Sequence, residues 1–164
     1  MISWQFRKNK KTKQVNIVKA NWFKRFPLGK SMPSLIAKAD RIFSRFKRLQ
    51  ALMPAGYIRC FTCGAFMTMR TADNGHYINR EHMGTRYHEQ NCAPQCSSCN
   101  SYAEGRKSTF AINLIKKYGP DILDQLEKAK QDGRFMTTAR LEEIIAYYKP
   151  LVKELEIEKL GRTK

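Results

Sequence analysis

Acidic residues are scarce and unevenly placed in this chain. Its 164 residues carry 14 Asp and Glu against 31 Lys and Arg, and the first 50 hold one acid, Asp40, among 14 bases. The formal net charge of +17 is more than solubility asks of a small domain, so a polyanionic partner is expected. Nothing approaches the run of ~18 apolar residues that a membrane-spanning helix needs, and the N-terminus lacks the apolar block of a secretory signal. A cytoplasmic location without membrane contact is the expectation, which favours nucleic acid over an anionic membrane as the partner. Repeats and low-complexity tracts are missing too, which removes solenoid architectures. Five cysteines are present, four of them in two pairs. In a reducing compartment that pattern points to metal binding before disulfides.

The charge and apolar patterns divide the chain into four parts. Residues 1–30 form a basic arm, with Arg7, Lys8, Lys10, Lys11 and Lys13 and scattered aromatics, suited either to DNA phosphates or to a solvated tail. Residues 31–53 read as an amphipathic basic helix. Leu35, Ile36, Ala39, Ile42, Phe43, Phe46 and Leu49 follow helical spacing, and Pro33 suits a first turn. Lys38, Arg41, Arg45 and Arg48 form a second stripe on that helix, a candidate phosphate-contacting face. Residues 54–107 are rich in Gly, Cys, His and Asn, as where metal ligands replace core. Residues 108–164 read as helical. One helix with Phe110, Ile112, Leu114 and Ile115 stops at Gly119-Pro120. A second, with Ile122, Leu123, Leu126 and Ala129, ends at Gly133. A third, capped by Thr137 or Thr138, carries Leu141, Ile144, Ile145 and Tyr148 and is expected to end or kink at Pro150.

The strongest motif is Cys60-x-x-Cys63, followed after 32 residues by Cys96-x-x-Cys99. Two such knuckles make a tetrahedral thiolate site for Zn²⁺. Cys92, the odd thiol, is assigned to packing as a small buried hydrophobe. Between and after the knuckles come His76, Asn91 and Asn100, with Asn91 five residues before the second CxxC and Asn100 directly after it. That ordered series resembles the HNH nuclease motif.

Further stretches narrow the resemblance. Lys38-Ala-Asp-Arg-Ile-Phe-Ser-Arg-Phe-Lys-Arg48, Gly75-His76-Tyr77-Ile78-x-Arg80, Asn91-x-x-Pro-Gln-Cys96 and Lys117-Tyr118-Gly119 are similar to the phage NinG family, also called Rap. Its members are recombination endonucleases acting on branched DNA such as Holliday junctions and D-loops. Cys96-Ser-Ser-Cys99-Asn100 with Glu104-Gly105 also resembles phage junction-resolving endonuclease VII, with one extra residue before the Glu-Gly pair. The resemblance implies a phage-encoded or prophage protein in a bacterial host cell. The implied fold is α+β and mainly α: a zinc-stapled ββα-metal (HNH, treble-clef-like) core flanked by N- and C-terminal helices. A homodimer is implied by a substrate cut on two strands.

Phosphodiester hydrolysis needs a base, an electrophile and help for the leaving oxygen. His76, with an ordinary pKa of about 6.5, is the expected base. Asn100 offers a carbonyl oxygen at a helix start for one catalytic Mg²⁺ or Mn²⁺ that keeps several waters. On the family pattern, Asn91 braces the loop that aims His76. Several HNH enzymes carry a metal-binding Asp directly before the catalytic His, where this chain has Gly75. Asp73 either reaches the ion through a bulge at Asn74-Gly75 or caps a turn. His82, His88 and Glu104 remain open as further contributors, and Arg80 and Arg86 are expected to hold the scissile phosphate. The competing readings are a non-catalytic zinc-dependent DNA-binding protein and a sequence-specific HNH nuclease.

Overall fold

The computed structural model describes residues 31–102, 104–131 and 136–161. The basic arm at residues 1–30 and the stop at Gly133 lie outside the described residues. Helix α1 spans Met32–Gln50, with Pro33 in its first turn and Lys47 and Arg48 in its last, where basic side chains favour the carbonyl end of the helix dipole. Two short strands follow, β1 (Ile58–Arg59) and β2 (Phe66–Met67), then β3 (Ala72–His76), a single helical turn α2 (Met83–Arg86), and β4 (Cys92–Cys96). A wide turn at Ser98–Tyr102 leads into α3 (Lys107–Tyr118), α4 (Ile122–Gln131) and α5 (Thr138–Leu160). The fold is mainly helical α+β. No helix among the described residues is long and apolar enough to cross a membrane.

The strands form two separate antiparallel ribbons, β1–β2 and β3–β4. In the second, Ala72 faces Cys96 and His76 faces Cys92 in unbroken register. Strand alternation sends neighbouring β4 residues to opposite sides. Cys92 enters a cluster with Phe43, Phe46, Leu141 and Tyr148, while Ala93 enters one with Ile78, Phe110, Leu114 and Leu126. The ribbon is thus a wall with α1 and α5 on one side and α3 and α4 on the other. A third cluster, containing Leu49, Ile58, Met67 and Ala72, surrounds Cys60 and Cys99.

Helices α1 and α5 join the two ends of the described chain. Phe43 meets Tyr148 edge-on at 5.0 Å, and each such buried aromatic contributes roughly 1.5–3 kcal/mol. Thr137 caps α5 by accepting from the Arg140 backbone N–H at 3.2 Å. Pro150 does not end the helix, since α5 continues through it to Leu160. Proline removes one helical hydrogen bond, but Leu151, Val152 and Leu155 beyond it pack against the clusters that α1 helps to build. That packing holds the helix together across the gap. Helix α3 corrects the pattern in a smaller way. Phe110 and Leu114 are buried, whereas Ile112 and Ile115, expected with them, face outward. Gly119, at φ 99°, ends α3 in a conformation that a side chain disfavours.

Candidate functional site

The four paired cysteines converge. Cys60, Cys63, Cys96 and Cys99 place their sulfurs all within 4.8 Å of one another. Cys60 and Cys63 sit in the β1–β2 turn, where the Gly64 N–H donates to the Cys60 carbonyl at 2.9 Å and Gly64 takes φ 77°. Cys96 closes β4, and its N–H donates to Cys60 Sγ at 3.3 Å. A tetrahedron with Zn–S bonds of about 2.3 Å has edges near 3.8 Å, and Cys63 Sγ lies 3.8 Å from Cys96 Sγ. The donor set therefore fits a metal ion such as zinc. Burial alone would raise the Cys60 thiol, but backbone donors at Cys63, Cys96 and Thr62 outweigh it and bring it down to about 6. Burial and the neighbouring thiols push Cys99 up to about 12, and a bound cation would favour its thiolate. Cys92 stands apart in the apolar core, where burial pushes it up to about 12.

Directly after the second knuckle, Asn100 reaches β3, its Nδ2 donating to Asp73 Oδ2 at 3.3 Å. Asn100 sits in the π-helical turn Ser98–Tyr102 that precedes α3. The bulge that would carry Asp73 toward His76 is absent, because Asn74 and Gly75 pair regularly with Pro94 and Ala93. Alternation then puts Asp73 and His76 on opposite faces of β3. Gly75 has no room for a side chain, since a Cβ there would lie 1.9 Å from Gln95 Oε1. Gln95 is fully buried and donates to the Thr62 hydroxyl and, at 3.0 Å, to the Gly105 carbonyl. Its bulk occupies the space that an Asp before His76 would need.

His76 is largely enclosed. Nδ1 lies 3.1 Å from the Asn74 carbonyl and Nε2 lies 3.2 Å from that of Arg86. Burial lowers its pKa below the usual histidine value, against the two carbonyls that raise it, which favours the neutral ring. Its strand is pinned by Lys107 Nζ, which donates to the His76 carbonyl at 3.1 Å, to the Tyr77 carbonyl, and to Asn79 Oδ1 at 2.8 Å. Sequence reasoning missed Lys107 and Gln95. Lys107 belongs to no motif, Gln95 stands in the Asn91-x-x-Pro-Gln-Cys96 stretch without a role of its own, and only the fold exposes what each touches.

Asn91 is fully buried. Its Oδ1 accepts from the Ile78 N–H at 2.8 Å, and its Nδ2 donates to the carbonyls of Ile78 and Thr85, both at 3.0 Å. It ties the segment after β3 to α2. Arg86 is already engaged. Nε and Nη2 donate to the two carboxylate oxygens of Asp40 at 2.8 and 2.6 Å, and Nη1 donates to the Arg80 carbonyl at 2.6 Å. Burial would raise the Asp40 carboxyl, but Arg86 outweighs it and holds it below its ordinary value.

The helical stripe is divided in the same way. Arg45 pairs with Glu156, while Arg48 donates to the Met69 carbonyl at 3.0 Å and to the Ser44 carbonyl at 3.3 Å. Arg41 and Arg80 are exposed and Lys38 is half-buried. His82 lies 3.7 Å from Glu81, and His88 is held below its usual pKa by burial. Glu104 opens the turn Glu104–Arg106, and its side chain lies outside the described residues.

A family model described as Bacteriophage Lambda NinG protein matches residues 4–158. Protein ninG of Escherichia phage lambda is 29% identical over 97 residues, covering 58% of this chain and 47% of that relative. Protein ninG of Salmonella phage P22 is 30% identical over the same shares of the two chains. The chain thus spans about half the length of these curated relatives. No solved structure matches it.

Proposed function

Because the chain belongs to the NinG family, we propose that it is a structure-selective DNA endonuclease of phage recombination, with an HNH (ββα-metal) core akin to that of endonuclease VII. Its substrates would be Holliday junctions and D-loops, cut by a homodimer that presents one centre to each strand. The observation that carries this reading is the contact between Asp73 and Asn100 beside the four-cysteine cluster. One carboxylate and one amide from different elements meet next to a rigid thiolate staple, and hard oxygen donors of that kind suit a divalent ion that keeps several waters.

When bound, Mg²⁺ or Mn²⁺ would supply Lewis acidity at the scissile phosphate and leaving oxygen. The other roles fall to the chain's own residues. Asp73 and Asn100 would hold the ion through their side-chain oxygens. His76 lies on the other face of β3, so it would act as the base at a phosphate reached from the end of that strand, with its N–H on Nδ1 toward the Asn74 carbonyl and Nε2 released from the Arg86 carbonyl to take a proton from water. Lys107 and Asn91 fix the chain on both sides of that ring. Arg80 and Arg41 are exposed cations available to phosphates.

One observation favours a second reading. Both ring nitrogens of His76 already face backbone carbonyls, as in a structural histidine, which suits a zinc-dependent module that binds DNA without cutting it. A cleavage assay separates the two, using four-way junction, D-loop and matched linear duplex with and without Mg²⁺. Junction cutting that requires Mg²⁺ and is lost in His76→Ala and Asp73→Ala is expected. Cutting unaffected by His76→Ala, or none by the unsubstituted protein, would sink the nuclease mechanism.

A further inference from the structure

On the outer side of the first knuckle lies an open groove of about 630 Å³, bordered by Arg59, Cys63, Asn113, Lys116 and Lys117. Helix α3 forms one wall and the β1–β2 turn the other, joined where Asn113 Nδ2 donates to the Phe61 carbonyl at 2.7 Å. Its three cations differ from several of those that the sequence nominated for phosphate contact. Arg45 is neutralised by Glu156, Arg86 by Asp40, and Arg48 is spent on carbonyls. Arg59, Lys116 and Lys117 are exposed, and no described acid pairs with them. Arg59 and Lys117 rest on aromatic faces instead. Lys117 lies 5.9 Å from the Phe61 ring centre and 5.1 Å from that of Tyr118, and Arg59 lies 5.8 Å from that of Phe66. Stacking of this kind orients a cation without cancelling its charge. Phe66 is 67% exposed and meets the half-exposed Tyr57 at 6.3 Å, leaving an aromatic surface beside Arg59.

We propose that this groove is a DNA contact surface, in which Arg59, Lys116 and Lys117 grip the phosphates of one arm and the Tyr57–Phe66 pair borders bases unstacked near a branch. The proposal rests on the reading that DNA is the partner, though not on the reading that the chain cuts it. Oriented cations without internal counterions suit a polyanion whose binding releases condensed salt, and aromatic faces beside them suit exposed bases. The groove also gives the zinc staple a second consequence, since the knuckle that holds Cys60 and Cys63 forms one of its walls.

The test uses the full chain in Ca²⁺ or EDTA-free buffer without Mg²⁺, so that binding is read apart from cleavage. Fluorescence anisotropy with a labelled four-way junction compares Arg59→Gln/Lys116→Gln/Lys117→Gln with Lys128→Gln/Lys149→Gln/Lys153→Gln, which removes the same charge from exposed sites elsewhere. The groove variant is expected to bind about tenfold or more weaker, and its salt dependence to fall by two to three phosphate contacts, at about 0.9 per contact in the log–log slope. The control should lose far less. Equal losses in the two variants, or no binding by the unsubstituted protein, would overturn the groove. Lysine acetylation of the unsubstituted protein gives an answer that does not depend on how variants fold. DNA should protect Lys116 and Lys117 and leave Lys149 and Lys153 reactive. Protection as strong from poly-glutamate would make the groove a general anion surface and overturn its assignment to DNA. If the junction binds through the groove and is never cut, the groove stands and the nuclease reading falls.

Discussion

The two ends of β4 carry the same residue type in opposite environments. Asn91, before the strand, is sealed from water and spends its amide on three backbone groups. Asn100, after the strand and its knuckle, is half-buried and touches one carboxylate, that of Asp73. In the sequence they are two members of one motif. In the fold, one is an internal brace whose loss orphans buried polar groups, and the other is a half-buried amide with a single side-chain partner. The lesson is that a motif letter specifies chemistry only together with the dryness of its setting.

Substitutions graded along that contrast can break it or sharpen it. The largest effect on the fold is expected from the staple next to Asn100. Structural zinc supplies an apparent ~10–16 kcal/mol in small modules, comparable with the whole stability of a domain, ~5–15 kcal/mol. Cys96→Ser or Cys99→Ser should therefore abolish metal retention and cooperative melting together, as seen by elemental analysis and calorimetry. A variant that melted normally without metal would show the two ends of β4 to be independent of the cluster.

Asn91→Ala comes next. It leaves the Ile78 N–H and the carbonyls of Ile78 and Thr85 without their partner, and a loss on the order of 3 kcal/mol is expected, measurable by urea denaturation. Acid should act more gently. Burial lowers the His76 and His88 pKa values, so the unfolded chain takes up those protons more readily. Their contribution is complete above the ordinary histidine value of about 6.5 and declines as pH falls through the depressed folded values. Melting temperature should drop in that window with metal content monitored alongside, and the acid limb of any cleavage profile should have its midpoint below about 6.5. A midpoint above that value would remove His76 as the base. The smallest structural effect is expected at the open end. Asn100→Ala and Asp73→Ala should each change stability by less than about 1 kcal/mol while greatly reducing any Mg²⁺-dependent cutting. A loss as large as that of Asn91→Ala would erase the distinction between the two asparagines.

The sequence made some of this readable and hid the rest for identifiable reasons. Helix α1, the Thr137 cap and the cysteine quartet follow from local rules, namely 3.6-residue spacing, an N-cap oxygen and paired thiolates. Cys92 was readable as core because a lone thiol away from both pairs has little else to do. Pro150 misled because its local penalty is certain, whereas the packing of Leu151, Val152 and Leu155 that offsets it comes from distant elements. Arg45 on the α1 stripe and Arg86 in the later loop looked open because Glu156 lies 111 residues from Arg45 and Asp40 lies 46 residues from Arg86. Such pairings have no periodic signature. The Asp73–Asn100 contact was half legible, since spacing nominated both residues and only the unbroken β3–β4 register decides how they meet.

The Gln95 side chain beneath Gly75 constrains mutational paths. An aspartate placed before His76 collides with Gln95, and a smaller residue at position 95 gives up the donors to Thr62 and Gly105. Each change is harmful alone, while the pair removes the collision. Positions 75 and 95 should therefore show strong positive epistasis, so that reaching the histidine-adjacent carboxylate of several HNH enzymes would take two coordinated changes rather than one.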